Sequence, residues 1–334
     1  MKKLGLGVIG CGNMGISLAT SAATLDNARV VCVSDVDEAK GKDLAGKLGV
    51  DYDPDYGRML KRDDVEAVLI ASPPFVHAEM AVAAAEAGVH VFSEKPMSPT
   101  LEGCDAMIAA ARKHGVRLGV GLVCRYHAAH TKVREIARGG EIGTPVCMTV
   151  HRIGGGWGGT WVAHWRTKRA ESGGTLMEVN AHEIDFMRFV LGDVKRVYAA
   201  GGNYREKGID YPDVVLASMT FASGAVGLLH SSHVSALGGY GGRLDGTEGS
   251  VSFPAIWGKD AALTVRRFDG EARTLPIADL KVPSPVAEEI RRFVVAVRKG
   301  EAPPVGGAEG RAATEVALAA YRSVETGRVV ELPL

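Results

Sequence analysis

Three groups of residues in this chain have the types and spacing to do chemistry. Gly10-Cys11-Gly12-Asn13-Met14-Gly15 is a G-x-G-x-x-G run. A short apolar strand pattern from Lys3 precedes it and a helical pattern opens at Ile16, which is the setting that gives the motif meaning. Gly10 allows a tight turn, Gly12 lets backbone approach a pyrophosphate, and Gly15 lets helix and strand pack closely. The first N–H groups of the new helix, around Asn13 and Met14, then face the phosphates with the positive end of the helix dipole behind them. A second strand, Ala28–Ser34, ends in Asp35, 20 residues past Gly15, where a carboxylate accepts from a ribose 2′-hydroxyl. Asp35 and Asp37 repel a 2′-phosphate and have no arginine beside them, so the pattern favours NAD over NADP.

The second group is Glu94-Lys95-Pro96, at the end of a strand pattern from Gly88. Proline holds the lysine at the carboxyl edge of the sheet, where ligands of such sheets bind. A solvated loop lysine is the alternative. Nearby in the pattern, Ser72-Pro73-Pro74 stops another strand, and His77 falls in the first turn of the next helix. His77 is either an exposed helix-start residue or a contact to the cofactor. The third group is Glu178 and His182. Asn180 and Glu183 have the spacing of a capping box, which puts His182 in the first turn of a helix. An imidazole with an ordinary pKa of about 6.5 suits a general base. Glu178 is within reach of a ring nitrogen of His182 or of a substrate hydroxyl. No metal is expected, since His182-Glu183 lacks the second histidine of H-E-x-x-H.

The elements that must position these groups alternate strand and helix from residue 3 to about 123, the mark of a doubly wound parallel sheet. The fold class is therefore α/β: an N-terminal Rossmann domain (1–123), then an α+β domain (124–334) with an open, mainly antiparallel sheet. The closing helix is expected to pack back on the first domain. After Arg125-Tyr126-His127 a helix runs to about Arg138, and strands follow from Val146. Helices Pro285–Lys299 and Glu309–Thr326 close the chain. Ahead of most of these strands, the 154–174 stretch holds seven glycines and Trp157, Trp161 and Trp165, with Arg166 alongside. So much glycine argues against a stable helix. A loop offering aromatic faces and guanidinium donors suits a ring-shaped polyol, although Trp and Arg are equally at home in a subunit interface.

Bulk composition narrows the classes. The 334 residues are 46% hydrophobic and 23% charged, with net charge zero, so no overall basic field points to nucleic acid or an anionic membrane. Five scattered cysteines without a C-x-x-C suit a reducing, cytoplasmic setting. Met1-Lys-Lys followed by apolar residues imitates a lipoprotein signal, but the apolar run is glycine-rich and short. Cleavage there would destroy the glycine loop.

The combination of Gly10–Gly15, Asp35, Ser72-Pro73-Pro74-x-x-His77 and Glu94-Lys95-Pro96 resembles the Gfo/Idh/MocA family (glucose–fructose oxidoreductase, inositol dehydrogenase and their relatives). The resemblance implies that Lys95 lies between nicotinamide and substrate, that Glu94 and Pro96 line the cofactor pocket, and that Arg125 and Tyr126 lie near nicotinamide and substrate. The family's second-domain pattern is matched at Gly173-Gly174, His182 and Asp185. Glu178 stands where aspartate is usual and Asn180 where glycine is common, so the substrate set is Lys95, Tyr126, Trp165, Arg166, Glu178, Asn180 and His182. The activity implied is NAD-dependent oxidation of a secondary alcohol on a sugar, glycoside, sugar acid or cyclitol. His182 takes the hydroxyl proton and Lys95 stabilises the developing alkoxide. The family also implies a homodimer or homotetramer paired through the open sheet. Three rivals stand beside this reading: a glycosidase that retains its NAD, an imine reductase, and a non-catalytic NAD sensor.

Overall fold

The structure, a computed structural model, describes residues 3–154 and 164–334. Two compact units emerge: residues 1–123 with 283–314, and residues 124–282 with 315–334.

The first unit opens with β1 (Leu4–Ile9), α1 (Asn13–Ala23), β2 (Ala28–Ser34), α2 (Glu38–Leu48), β3 (Asp51–Tyr52) and α3 (Tyr56–Met59). It continues with β4 (Ala67–Ile70), α4 (His77–Glu86), β5 (His90–Glu94), α5 (Leu101–His114) and β6 (Leu118–Gly121). The six strands form one sheet in the order β3-β2-β1-β4-β5-β6, every pair parallel. Strands β1 and β4 are buried at every position, as expected of a parallel sheet covered on both faces. Strand order reverses between β1 and β4, so their carboxyl ends flank the crevice where ligands of doubly wound sheets bind. Helix Pro285–Lys299 contributes Ile290, Phe293 and Val294 to the same core as Leu4, Leu18 and Val33. The sequence reading left that helix in the second domain. Its amphipathic pattern shows that it must bury a face, but not against which sheet.

The second unit begins with a 3-10 turn (Val123–Tyr126), α6 (Ala128–Arg138) and β7 (Pro145–Ile153). A second 3-10 turn (His164–Thr167) leads to α7 (Arg169–Ser172), α8 (Thr175–Glu178) and α9 (Ala181–Leu191). Seven strands follow: β8 (Val194–Gly202), β9 (Val214–Phe221), β10 (Val226–Ser232), β11 (Gly239–Gly246), β12 (Gly249–Phe253), β13 (Ala262–Arg267) and β14 (Arg273–Pro276). Helix Pro285–Lys299 is α10; α11 (Gly307–Thr326) and β15 (Val330–Glu331) end the chain. The nine-stranded sheet runs β14-β13-β12-β11-β7-β10-β9-β8-β15. Only β7 and β10 pair in parallel; the other pairs are antiparallel. One face is covered by α9, which packs on β7 and β10. The period-2 burial of β8, β9 and β10 is that of a half-covered antiparallel sheet.

Candidate functional site

The glycine loop sits at the end of β1. Gly10 has φ +94°, and a Cβ on Gly15 would stand 1.8 Å from the Gly10 carbonyl oxygen, whereas one on Gly12 would meet nothing within 4 Å. Gly10 and Gly15 are thus required by the fold, and Gly12 is not. Its missing side chain leaves open space in front of the start of α1. No side chain caps that start, so its first backbone N–H groups are presented for an anion. The Asp35 carboxylate accepts from the Cys11 N–H (2.6 Å) and the Asp37 N–H (2.8 Å). It thereby ties the loop to the end of β2 and keeps lone pairs for a ribose hydroxyl. These residues fit a bound dinucleotide. The Cys11 thiol is pushed up to about 12, first by burial and then by Asp35, which leaves it inert.

At the same edge, Ser72-Pro73 follows β4 and Lys95-Pro96 follows β5. His77 is 1% exposed, with Nδ1 3.0 Å from the Pro96 carbonyl oxygen and Nε2 2.8 Å from that of Ser72. Of the two alternatives from the sequence, the exposed one does not hold. The ring is not an exposed helix start; with its nitrogens on two backbone carbonyls it braces the two loops at this edge. Lys95 is partly exposed, and its backbone N–H donates to Glu94 Oε2 at 3.1 Å. Glu94 is buried beneath this turn, opposite Gly121 of β6, where a Cβ would come within 3.1 Å of the carboxylate.

Helix α10 adds a group that the sequence did not reveal. Glu289 is 3% exposed, neither of its oxygens has a hydrogen-bond partner among the described residues, and burial followed by repulsion from Glu94 holds its carboxyl well above the usual range. It therefore keeps its proton to higher pH in the folded state than in the unfolded chain. The unfolded chain then binds fewer protons, so Glu289 makes stability fall as pH rises above its ordinary value of about 4.3. Glu289→Gln removes this loss. In chemical denaturation it should match the wild type near pH 4 and exceed it by a margin that grows towards pH 8, with an upper limit of about 1.4 kcal/mol per pH unit. An equal pH slope in both proteins would show an ionised Glu289.

In the second unit, the Arg125 guanidinium makes a two-pronged pair with Asp185 of α9 (Nε to Oδ2 2.8 Å, Nη2 to Oδ1 2.6 Å) and lies over the Phe189 ring. Its charge is thus matched inside this unit. This pair ties Arg125 to α9. Asp185, which the sequence left without a task, is its partner. The Asn180 side chain lies inside the same unit. Fully buried, it donates from Nδ2 to Glu183 Oε2 (2.9 Å) and accepts from the Ser231 hydroxyl (2.6 Å). No side-chain cap bond forms at this helix start. The expected capping box is replaced by this direct side-chain pair.

Glu183 belongs to a buried polar set that orients α9. Arg152 approaches it at 3.5 Å and stacks on Tyr240 and Trp257. The Tyr240 hydroxyl is hydrogen-bonded to Glu183 and lies 2.6 Å from His130 Nε2. Burial holds His130 down to about 3, so that ring is neutral. Together with Arg125–Asp185, this set leaves His182 in the first turn of α9, partly exposed. Glu178, expected to orient His182 or grip a hydroxyl, is 6% exposed and accepts from Arg166 Nε at 2.9 Å. Arg166 also stacks on Trp165 at 4.1 Å, and its carbonyl accepts from the Tyr211 hydroxyl. Trp165, Arg166 and Glu178 thus form one cluster, and Tyr126 is partly exposed in its own turn. Trp157 and Trp161 lie outside the described residues.

Among the described residues there is no group of three or more side chains able to hold a metal. A groove of about 510 Å³, lined by Arg62, Glu66, His90 and Arg298 among others, lies at the amino end of β4 and β5, the opposite edge from the glycine loop.

Comparison with known proteins agrees with this geometry. Residues 4–122 match the family described as "Oxidoreductase family, NAD-binding Rossmann fold", GFO_IDH_MocA, and residues 130–252 match the "GFO/IDH/MocA C-terminal domain". An uncharacterized oxidoreductase of Bacillus subtilis (strain 168), YrbE, is 31% identical, covering 99% of this chain and 97% of its own. Myo-inositol 2-dehydrogenase of Thermotoga maritima is 30% identical over 98% of both. The crystal structure of aldose-aldose oxidoreductase from Caulobacter crescentus superposes with a TM-score of 0.90 at 25% identity, covering 99% of this chain and all of that one.

Proposed function

The chain belongs to the Gfo/Idh/MocA family of oxidoreductases, and from that premise we propose that it is an NAD-dependent dehydrogenase acting on a secondary alcohol of a sugar or cyclitol. The observation that carries the reading is the Lys95 turn, braced at the same sheet edge as a glycine loop whose Gly12 leaves open space. Gly10, Gly12, Asn13, Met14, Gly15, Asp35, Ser72 and Pro73 hold the cofactor, with Asp35 selecting the free ribose of NAD. Bound nicotinamide supplies the hydride acceptor. Lys95 hydrogen-bonds the reacting oxygen and stabilises negative charge as it develops there. The imidazole of His182 takes the hydroxyl proton. Trp165 offers a ring face, while Tyr126, Arg166 and Glu178 bind the remaining hydroxyls.

A panel of cyclitols, sugars, glycosides and sugar acids tested with NAD and NADP, followed by absorbance of the reduced cofactor, tests this. Net NADH formation with at least one polyol, faster than with NADP, is expected. Aglycone release without net NADH would indicate a glycosidase, and silence across the panel would contradict the proposal.

The second unit works as part of a homodimer or homotetramer in this reading. On the open face of its sheet, Tyr198, Leu216, Val226 and Leu228 are 40–47% exposed on three neighbouring strands. An apolar stripe on an uncovered sheet is an association surface, and a second copy of the chain is its proposed occupant. Leu216→Asp with Leu228→Asp should give a monomer in light scattering, at unchanged helix and strand content; a wild-type monomer would refute the pairing. No helix among the described residues is long and apolar enough to cross a membrane, and we place the enzyme in the cytoplasm with its cofactor pool.

A further inference from the structure

His77 lies between two acceptors. Its ring is 1% exposed, Nε2 is 2.8 Å from the Ser72 carbonyl oxygen, and Nδ1 is 3.0 Å from the Pro96 carbonyl oxygen. A backbone carbonyl can only accept, whereas a neutral imidazole has one N–H and one bare nitrogen. The neutral ring therefore satisfies one of these contacts and sets a lone pair against an oxygen in the other, in a site that water barely reaches. Leaving such a contact unmet is costly in a buried site. A doubly protonated ring donates to both oxygens, and each bond is then strengthened by charge.

We infer that His77 is held as an imidazolium that straps the Ser72 loop to the Lys95-Pro96 turn, and so acts as a positioning residue for Lys95. The two ends of the strap come from different strands: Ser72 follows β4 and Pro96 follows β5. Other groups set how firmly the charge is held. Burial and the positive end of α4, whose first residue is His77, oppose it. The two carbonyl dipoles favour it. Helix α4 packs on α5, β5 and β4. Its own acids are Glu79 and Glu86; α5 carries Glu102, Cys104, Asp105, Arg112, Lys113 and His114; β5 carries His90 and Glu94; β4 has no titratable side chain. Glu79 is engaged by the Tyr56 hydroxyl, and Asp105 by Arg311. Loss of the ring proton at alkaline pH would remove one of the two bonds and let the Lys95 turn separate from the Ser72 loop.

The test is nitrogen NMR of the full chain labelled at histidine, with the His77 signals identified by their loss in His77→Gln. At pH 7 both ring nitrogens should show the signature of a protonated nitrogen. Raising the pH should convert one of them to the bare form while amide exchange at Lys95, Met97 and Ser98 accelerates about tenfold beyond the rise that base catalysis alone gives in amides elsewhere in the first unit. A bare nitrogen already present at pH 7, or exchange that ignores the ring's titration, would overturn the inference. If His77→Gln fails to fold, assignment by Met80→Leu, which alters the neighbour of the Ser72 hydroxyl and shifts the signals without removing them, serves in its place. Neither readout needs cofactor or substrate, so the strap can fail while the dehydrogenase reading stands, and the reverse.

Discussion

Lys95→Ala and His182→Ala are each expected to lower turnover at least ~100-fold while NAD affinity stays within about threefold, a loss in the range attributed to a positioned proton-transfer group. The expectation rests on how the two side chains are presented. Lys95 is partly exposed on a turn whose backbone is fixed by Glu94 and braced by His77. His182 is partly exposed on a helix fixed by Arg125–Asp185 and Asn180–Glu183. In each case neighbours hold the backbone, and the side chain is partly exposed. Truncation should therefore spare stability, with thermal midpoints close to wild type, because substitutions away from core and network features change stability little. Steady-state kinetics with the best substrate from the panel, beside calorimetric NAD binding, reads both quantities. Normal turnover in either variant removes that residue from the proposed chemistry.

The second large effect separates two glycines that a motif search treats alike. Gly12→Val should fold as the wild type does, since nothing lies within 4 Å of its added Cβ, yet weaken NAD binding ~100-fold or more by filling the space where backbone meets pyrophosphate. Gly15→Ala should destabilise the first unit by about 3 kcal/mol, because its Cβ would stand 1.8 Å from the Gly10 carbonyl oxygen and relief requires moving backbone. Thermal denaturation and NAD titration of both variants check the contrast. A stable Gly15→Ala protein, or tight NAD binding by Gly12→Val, would show that the loop is used differently.

The parts of this molecule legible in the sequence are those where a local pattern answers a local need. The glycine loop, Asp35, the strand ends at Ser72 and Glu94, and the alternation that makes the doubly wound sheet are all of that kind. What was not legible depends on partners far along the chain. Nothing local to Arg125 shows that Asp185, 60 residues later, takes both prongs of its guanidinium. Asn180 and Glu183 have capping-box spacing, but Ser231 and Arg152 pull their side chains into a buried network. His77 looks exposed at a helix start because nothing local indicates that Pro96 will lie over it. Glu289 is the extreme case. Next to Glu288 in an amphipathic helix it reads as a solvated charge, and only the packing of α10 in the first unit buries it.

The most direct measurement is a crystal structure of the wild-type enzyme with NADH and the polyol identified by the panel. The proposed chemistry requires Lys95 Nζ and a ring nitrogen of His182 both within hydrogen-bond distance of one substrate oxygen, with the carbon bearing it over the nicotinamide ring. A complex in which either side chain reaches only a different hydroxyl, or faces away from that carbon, would contradict it.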